Sequence, residues 1–151
     1  MDVVALLEQL EPNVIDDAWG AVQRAHAVHY EDAGEQLTRQ RLTDLYDLVV
    51  SAIRDRDLTP VTAYADSVAR ERFDAGFGIS EVQTAFNALE EATWRRLLVA
   101  HPSADVVEAI GLLSTVLGAG KDELARTYVS LAARRHVPSL DLSAMFRGTN
   151  S

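Results

Sequence analysis

A chain of 151 residues with 23 acidic against 14 basic side chains, net charge −9, and no cysteine excludes much at once. It can form no disulfide, Cys-ligated zinc site or iron–sulfur cluster, and so acidic a chain is not expected to bind nucleic acid or anionic membrane, where phosphate neutralisation needs a basic face. Apolar residues are 48% and charged residues 25% of the chain, the balance of a soluble globular protein, and no apolar run nears the roughly 20 residues that span a bilayer.

Met1-Asp2-Val3-Val4 has no positive n-region, so no signal peptide is read and a cytoplasmic location is expected. Residues 1–59 carry net −7, residues 60–101 net −2 and residues 102–151 net zero. The neutral, apolar-rich second half is where a self-association surface is sought.

No segment alternates apolar and polar residues over strand length; helical spacing recurs instead. Proline suits the first helical turn, so Pro12, Pro60 and Pro102 read as helix starts. A short helix is expected around Val3–Leu10, then one over Pro12–Tyr30 with Ile15, Trp19, Val22, His26 and His29 on one face. The second main helix reads as Glu35–Arg56, with a wide stripe of Leu42, Leu45, Leu48, Val49, Ala52 and Ile53. Thr59-Pro60 supplies a cap and a first-turn proline for the third, Pro60–Ala75. At about 100° per residue, Arg72 falls only about 20° from Val61, whereas Arg70 points the other way. Arg72 is therefore expected to be mostly buried and paired, with Glu90 or Glu91 as candidate partners. Gly76-Phe77-Gly78 ends that helix.

Ser80-Glu81-Val82-Gln83 has the form of a capping box and opens the fourth helix, Ser80–Ala100. Val82, Ala85, Phe86, Leu89, Thr93 and Leu97 form its stripe; Trp94 and Leu98 lie on another side. Val106, Ile110, Leu113, Leu117, Gly120, Leu124, Tyr128 and Leu131 keep one phase over Ser103–Arg135. That reads as one long helix through Gly118-Ala119-Gly120, with two helices hinged at the glycines as the alternative. Gly120 lies on the stripe, so another helix is expected to approach closely there. Residues 136–151 lack a period and read as a mobile tail behind a single helical domain, residues 1–135.

The chemistry-bearing patterns are few. There is no Gly-x-Ser-x-Gly, P-loop or His-Glu-x-x-His, so no catalytic residues are assigned and no enzyme is expected. His26 and His29 are close enough on a helix to share a metal, but hydrogen-bonded histidines at the core edge are the reading taken; no metal site or cofactor is assigned. Globin-type haem ligation needs a helix where only Gly76–Ile79 stands, so no haem is expected.

The segment from Arg70-Glu71-Arg72-Phe73-Asp74-Ala75-Gly76-Phe77 to Ser80-Glu81-Val82, Ala85, Phe86 and Trp94 is the most specific stretch. With Asp17-Ala18-Trp19 and the leucine-rich helix from Leu37, it resembles the RsbRD-type N-terminal domain of RsbT co-antagonist proteins of stressosomes. The resemblance covers residues 5–130. It implies an all-α, five-to-six-helix, globin-like bundle without haem, with two long C-terminal helices. It also implies a sensory or regulatory module that dimerises and passes a signal onward. The C-terminal output domain usual in that family, such as a STAS domain, is not read in this sequence, so either a free-standing module or a domain that works through a partner regulatory protein is expected.

Two sets of residues carry the functional expectations. A homodimer would pair the last two helices with their mates through Trp94, Leu98, Leu112, Val116 and Ala119. Alternatively, the chain binds a small carboxylate- or phosphate-bearing ligand among Trp19, His26, Tyr46, Tyr64 and Arg72, with the planar Arg72 fork recognising the anion.

Overall fold

A computed structural model describes residues 2–25, 34–100 and 103–140, the last six of these as backbone only. Among them are five helices and no strand: α1 (Val3–Ala25), α2 (Glu35–Asp55), α3 (Thr59–Asp74), α4 (Ile79–Ala100) and α5 (Ala104–Leu140). The fold is all-α, and a globin-like bundle is compatible with it. The paired histidines His26 and His29, and the expected helix end at Tyr30, lie outside the described residues.

Two expected boundaries are corrected. Pro12 does not start a helix but sits inside α1. An internal proline costs about 3 kcal/mol in a helix, yet Leu7 before it and Val14 and Ile15 after it lie on one stripe and are all buried. Burial on both sides offsets the lost hydrogen bond and keeps the helix continuous. The cap of α4 is likewise two residues earlier than Ser80: Glu81, the third residue of the helix, accepts the Gly78 N–H at 3.1 Å, as the carboxylate of a capping box does.

The ends of α2 and α3 lie within a residue or so of the expected ones, whereas α5 continues five residues beyond Arg135, into the segment expected to be a tail. Thr59, expected as the cap of α3, is its first residue instead: the N-cap is Leu58, without a side-chain cap bond. Asp57, one residue further out, accepts the Thr59 N–H at 3.0 Å, and this backbone hydrogen bond holds its carboxyl below the usual range. Gly76 stops α3 at φ 88°; the Phe77 N–H reaches the Arg72 carbonyl and the Gly76 N–H reaches that of Phe73. These are the two crossed bonds of a Schellman motif.

α5 runs unbroken for 37 residues through both glycines and on past Arg135, about 55 Å at 1.5 Å per residue. It packs along α3 and α4, while α1 packs against α4 and α2. One cluster of buried residues joins all five helices, from Leu7 and Val14 through Tyr46, Val61 and Leu89 to Leu117 and Leu124. Gly120 lies in it: a methyl there would stand 3.0 Å from Phe86 Cε2 and 3.3 Å from Val61 Cγ1. The close approach expected at that glycine is present. Arg96 and Asp17 tie α4 to α1 through two hydrogen bonds of 2.6 and 3.0 Å.

Candidate functional site

The helical phase that set Arg72 against Arg70 holds in three dimensions. Val61 and Ala65 are fully buried. The Arg72 side chain is 13% exposed, while that of Arg70 is 49% exposed and bonds Asp66 at 3.0 Å. Arg72 is the residue whose carbonyl accepts the Phe77 N–H, and its guanidinium lies 4.7 Å over the Phe77 ring. The two side chains thus make the contact that accompanies a Schellman turn, here as a cation–π pair.

Its acidic partner is neither Glu90 nor Glu91. Those pair with Lys121 of α5 and Arg95 of α4. The Arg72 Nη2 instead donates to Glu71 Oε1 at 2.5 Å, and Arg41 of α2 donates to the same oxygen. The hydrogen bond from Arg72 is the largest influence holding the Glu71 carboxyl below the usual range, against desolvation and with help from Arg41. Arg72 Nε is enclosed and meets no acceptor.

Beside these two arginines is a cavity of about 50 Å³, walled by Leu42, Leu45, Val68, Val82 and Phe86, with Thr38 and Tyr64 also lining it. The Tyr64 hydroxyl donates to the Arg41 carbonyl at 3.3 Å, and burial pushes its pKa up to about 12. Tyr64 is therefore a neutral hydroxyl at any physiological pH.

Of the expected ligand-binding set, Tyr64 and Arg72 come together here. Trp19 is buried on the core face of α1, away from the cavity lining. Tyr46 is fully buried elsewhere, its hydroxyl donating to the Leu7 carbonyl at 2.5 Å. His26 lies outside the described residues. Arg41, Glu71 and Thr38 were missed. The signal for Thr38 was present, since it stands four residues before Leu42 on the same stripe.

Tyr46 borders a second polar feature. Glu11 of α1 faces Asp47 of α2, with Glu8 and Arg54 also lining the gap. Burial first, then the Asp47 hydrogen bond and charge and the Glu8 charge, raise the Glu11 pKa to about 7.

The expected interface residues separate. Val116 is 5% exposed and belongs to the core, with Leu112 beside it in a groove shared with Ile53 and Leu58. Ala119 and Trp94 are half-buried, and the Arg95 guanidinium lies 5.2 Å over the Trp94 ring. Leu98 is exposed. A different flank of α5 is uncovered: Val107 and Val129 are 65% and 68% exposed. Between them nothing stands within 4 Å of a methyl added at Gly111 or Gly118.

The model of the RsbT co-antagonist protein rsbRD N-terminal domain family matches residues 12–139. The chain belongs to this family. Neither the curated proteins nor the solved structures gave a match. The rsbRD N-terminal domain is a regulatory sensor domain, and the matched span contains the Arg72 corner and nearly all of α5. Among the described residues no group of three His, Asp or Glu side chains is placed to hold a metal ion. No helix among them is long and apolar enough to cross a membrane.

For this rsbRD-type domain, Arg72→Ala should cost about 1–3 kcal/mol, because a charged hydrogen bond and a packed stem are lost together. Arg70→Ala should leave the urea midpoint unchanged. Equal shifts in equilibrium unfolding would contradict the assigned phase of α3.

Proposed function

We propose that this domain is a non-enzymatic, cytoplasmic regulatory module that self-associates through α5 and hands its signal to a partner protein. The uncovered face of α5 carries the reading. Val107, Gly111, Ser114, Gly118, Ala125 and Val129 fall within about 60° of arc at 100° per residue. Exposed apolar groups at both ends of a strip of small residues favour another helix over solvent.

The strip is also self-complementary. In an antiparallel pair centred on Gly118, Val107 meets the partner's Val129, Gly111 meets the partner's Ala125, and Ser114 meets the partner's Asp122. Glu108 and Arg126 share one flank of α5, so each Glu108 comes level with the partner's Arg126 to within about two residues, roughly 3 Å of rise. Such an isologous contact closes as a dimer. Only three residues separate α4 from α5, so the two helices run antiparallel, and Lys121, 2.9 Å from Asn87, gives their register. Trp94 and Leu98 then stand level with the Gly111–Ser114 stretch, at the border of the same face.

Light scattering with circular dichroism tests the proposal. The wild type should be dimeric at high micromolar concentration. Gly118→Leu should be a folded monomer, because the isolated chain has room for the side chain and a dimer does not. Arg126→Glu should weaken the dimer, and adding Glu108→Arg should restore it. A wild type that stays monomeric, or an unchanged dimer in Gly118→Leu, would end the idea.

A further inference from the structure

We propose that the Arg41–Arg72 corner binds a short aliphatic monocarboxylate, its carboxylate replacing that of Glu71 and its alkyl end entering the adjoining cavity. Two guanidiniums on different helices converge on a single carboxylate oxygen, Glu71 Oε1. Two positive charges therefore share one negative charge at a corner where both arginine side chains are largely covered, 30% and 13% exposed.

The donor arrangement is incomplete in a specific way. A carboxylate that suits arginine best spans Nε and one Nη of the fork with its two oxygens. Glu71 takes Arg72 Nη2 alone, and Arg72 Nε remains enclosed without an acceptor. An enclosed donor left unmet is costly and uncommon in folded proteins. Glu71 sits next to Arg72 on the same helix, where adjacent side chains diverge by about 100°, so it reaches the fork from the side. A free carboxylate has no such tether and can take both Nε and Nη2 while facing Arg41. Glu71 is 54% exposed and has water to swing into.

The cavity decides what else the ligand carries. Its walls are Leu42, Leu45, Val68, Val82 and Phe86, and its volume is about 50 Å³, room for about two water-sized groups. Inorganic phosphate would satisfy the arginines but leave the apolar walls empty. A long-chain acid would overfill them. A carboxylate with a tail of two or three carbons meets both halves of the site.

The experiment titrates the full chain, labelled with nitrogen-15, with sodium acetate, butyrate, octanoate and phosphate at matched ionic strength. Calorimetry gives affinity, and the arginine Nε–H resonances report the site. Butyrate should bind about tenfold more tightly than acetate, from two further buried methylenes. Octanoate should gain nothing over butyrate, and the Arg72 Nε–H signal should shift on saturation. Glu71→Gln removes the internal competitor and should tighten butyrate binding by roughly fivefold or more, about 1 kcal/mol. Arg72→Lys keeps the charge but loses the fork, and should weaken binding more than about tenfold if circular dichroism shows it folded; if it unfolds, Glu71→Gln carries the test. Affinity independent of chain length, phosphate binding as tightly as butyrate, or no tightening in Glu71→Gln would overturn the proposal. Light scattering on the same samples reads association separately, so failure of either proposal is visible without the other.

Discussion

Gly120→Val should lower the melting temperature by roughly 2–12 °C, while Gly118→Ala, two residues earlier, should raise it by about 2–4 °C. Both residues are helical glycines in α5, and propensity alone would reward either change by up to about 1 kcal/mol. Packing separates them. Even a methyl at Gly120 would meet Phe86 Cε2 at 3.0 Å and Val61 Cγ1 at 3.3 Å, and both of those residues are buried at 2% exposure or less. Val61 is fully enclosed, and the cavity that Phe86 borders is the one of about 50 Å³ described above, too small to take in a displaced ring; the second methyl of valine compounds the clash. Overpacking of this kind costs typically about 1–3 kcal/mol, occasionally more. Gly118 faces open space, so alanine there gains helix propensity without a steric charge. Thermal unfolding of dilute protein, where association contributes little, checks the pair. Shifts of the same sign would mean that α5 does not lie against α3 and α4 as described.

Stability should peak near pH 5, and Glu11→Gln should stabilise the chain at pH 8 by about 1–3 kcal/mol. Folding raises the Glu11 pKa from 4.5 to about 7. Between those values the native state holds a proton that the unfolded chain has released. The Glu11 contribution is therefore fully present below about pH 4.5 and is lost as pH rises through about 7. Asp17 and Glu71 act oppositely: hydrogen bonds from Arg96 and from Arg72, respectively, hold their carboxyls low. What they contribute is present above the ordinary carboxylate range and lost on acidification. The two trends cross near pH 5. The groups facing Glu11 are Glu8 on its own helix and Asp47 and Arg54 on α2. Glutamine removes the charge there while keeping the shape. Urea midpoints measured from pH 4 to 8 should slope downward across neutrality in the wild type and flatten in Glu11→Gln. A flat wild-type profile would show that Glu11 titrates like an ordinary surface carboxylate.

Periodicity gave the helices because each buries one stripe, and a stripe is a local property. α2, α3 and α4 begin and end within about a residue or two of where the pattern put them. The phase that contrasted Arg72 with Arg70 held for the same reason. Pro12 misled because proline is a strong local signal whose cost was met by tertiary burial. The phase from Leu7 to Val14 and Ile15, unbroken across it, was the better guide. The partner of Arg72 was not legible, since choosing among Glu71, Glu90 and Glu91 requires knowing how α3 lies against its neighbours α2 and α4. Arg41 was invisible for that reason too: it stands 31 positions before Arg72 and meets its carboxylate only in the folded chain. Val116, expected at a dimer interface, lies off the stripe that runs from Val106 to Leu131 and yet is buried within the chain. α5 in fact packs against both α3 and α4, and so buries a wider arc.

The chain has two tryptophans, and their settings divide the optical work between them. Trp19 is 7% exposed, within the core. Trp94 is half-buried at the edge of the core, with the Arg95 guanidinium over its ring. Trp19 should emit at short wavelength and shift to the red only when the core opens. In the dimer proposed above, Trp94 should respond to dilution, because its surroundings would change as copies separate. With Trp94→Phe and Trp19→Phe variants, a single fluorimeter can follow folding in one channel and assembly in the other, with no added dye.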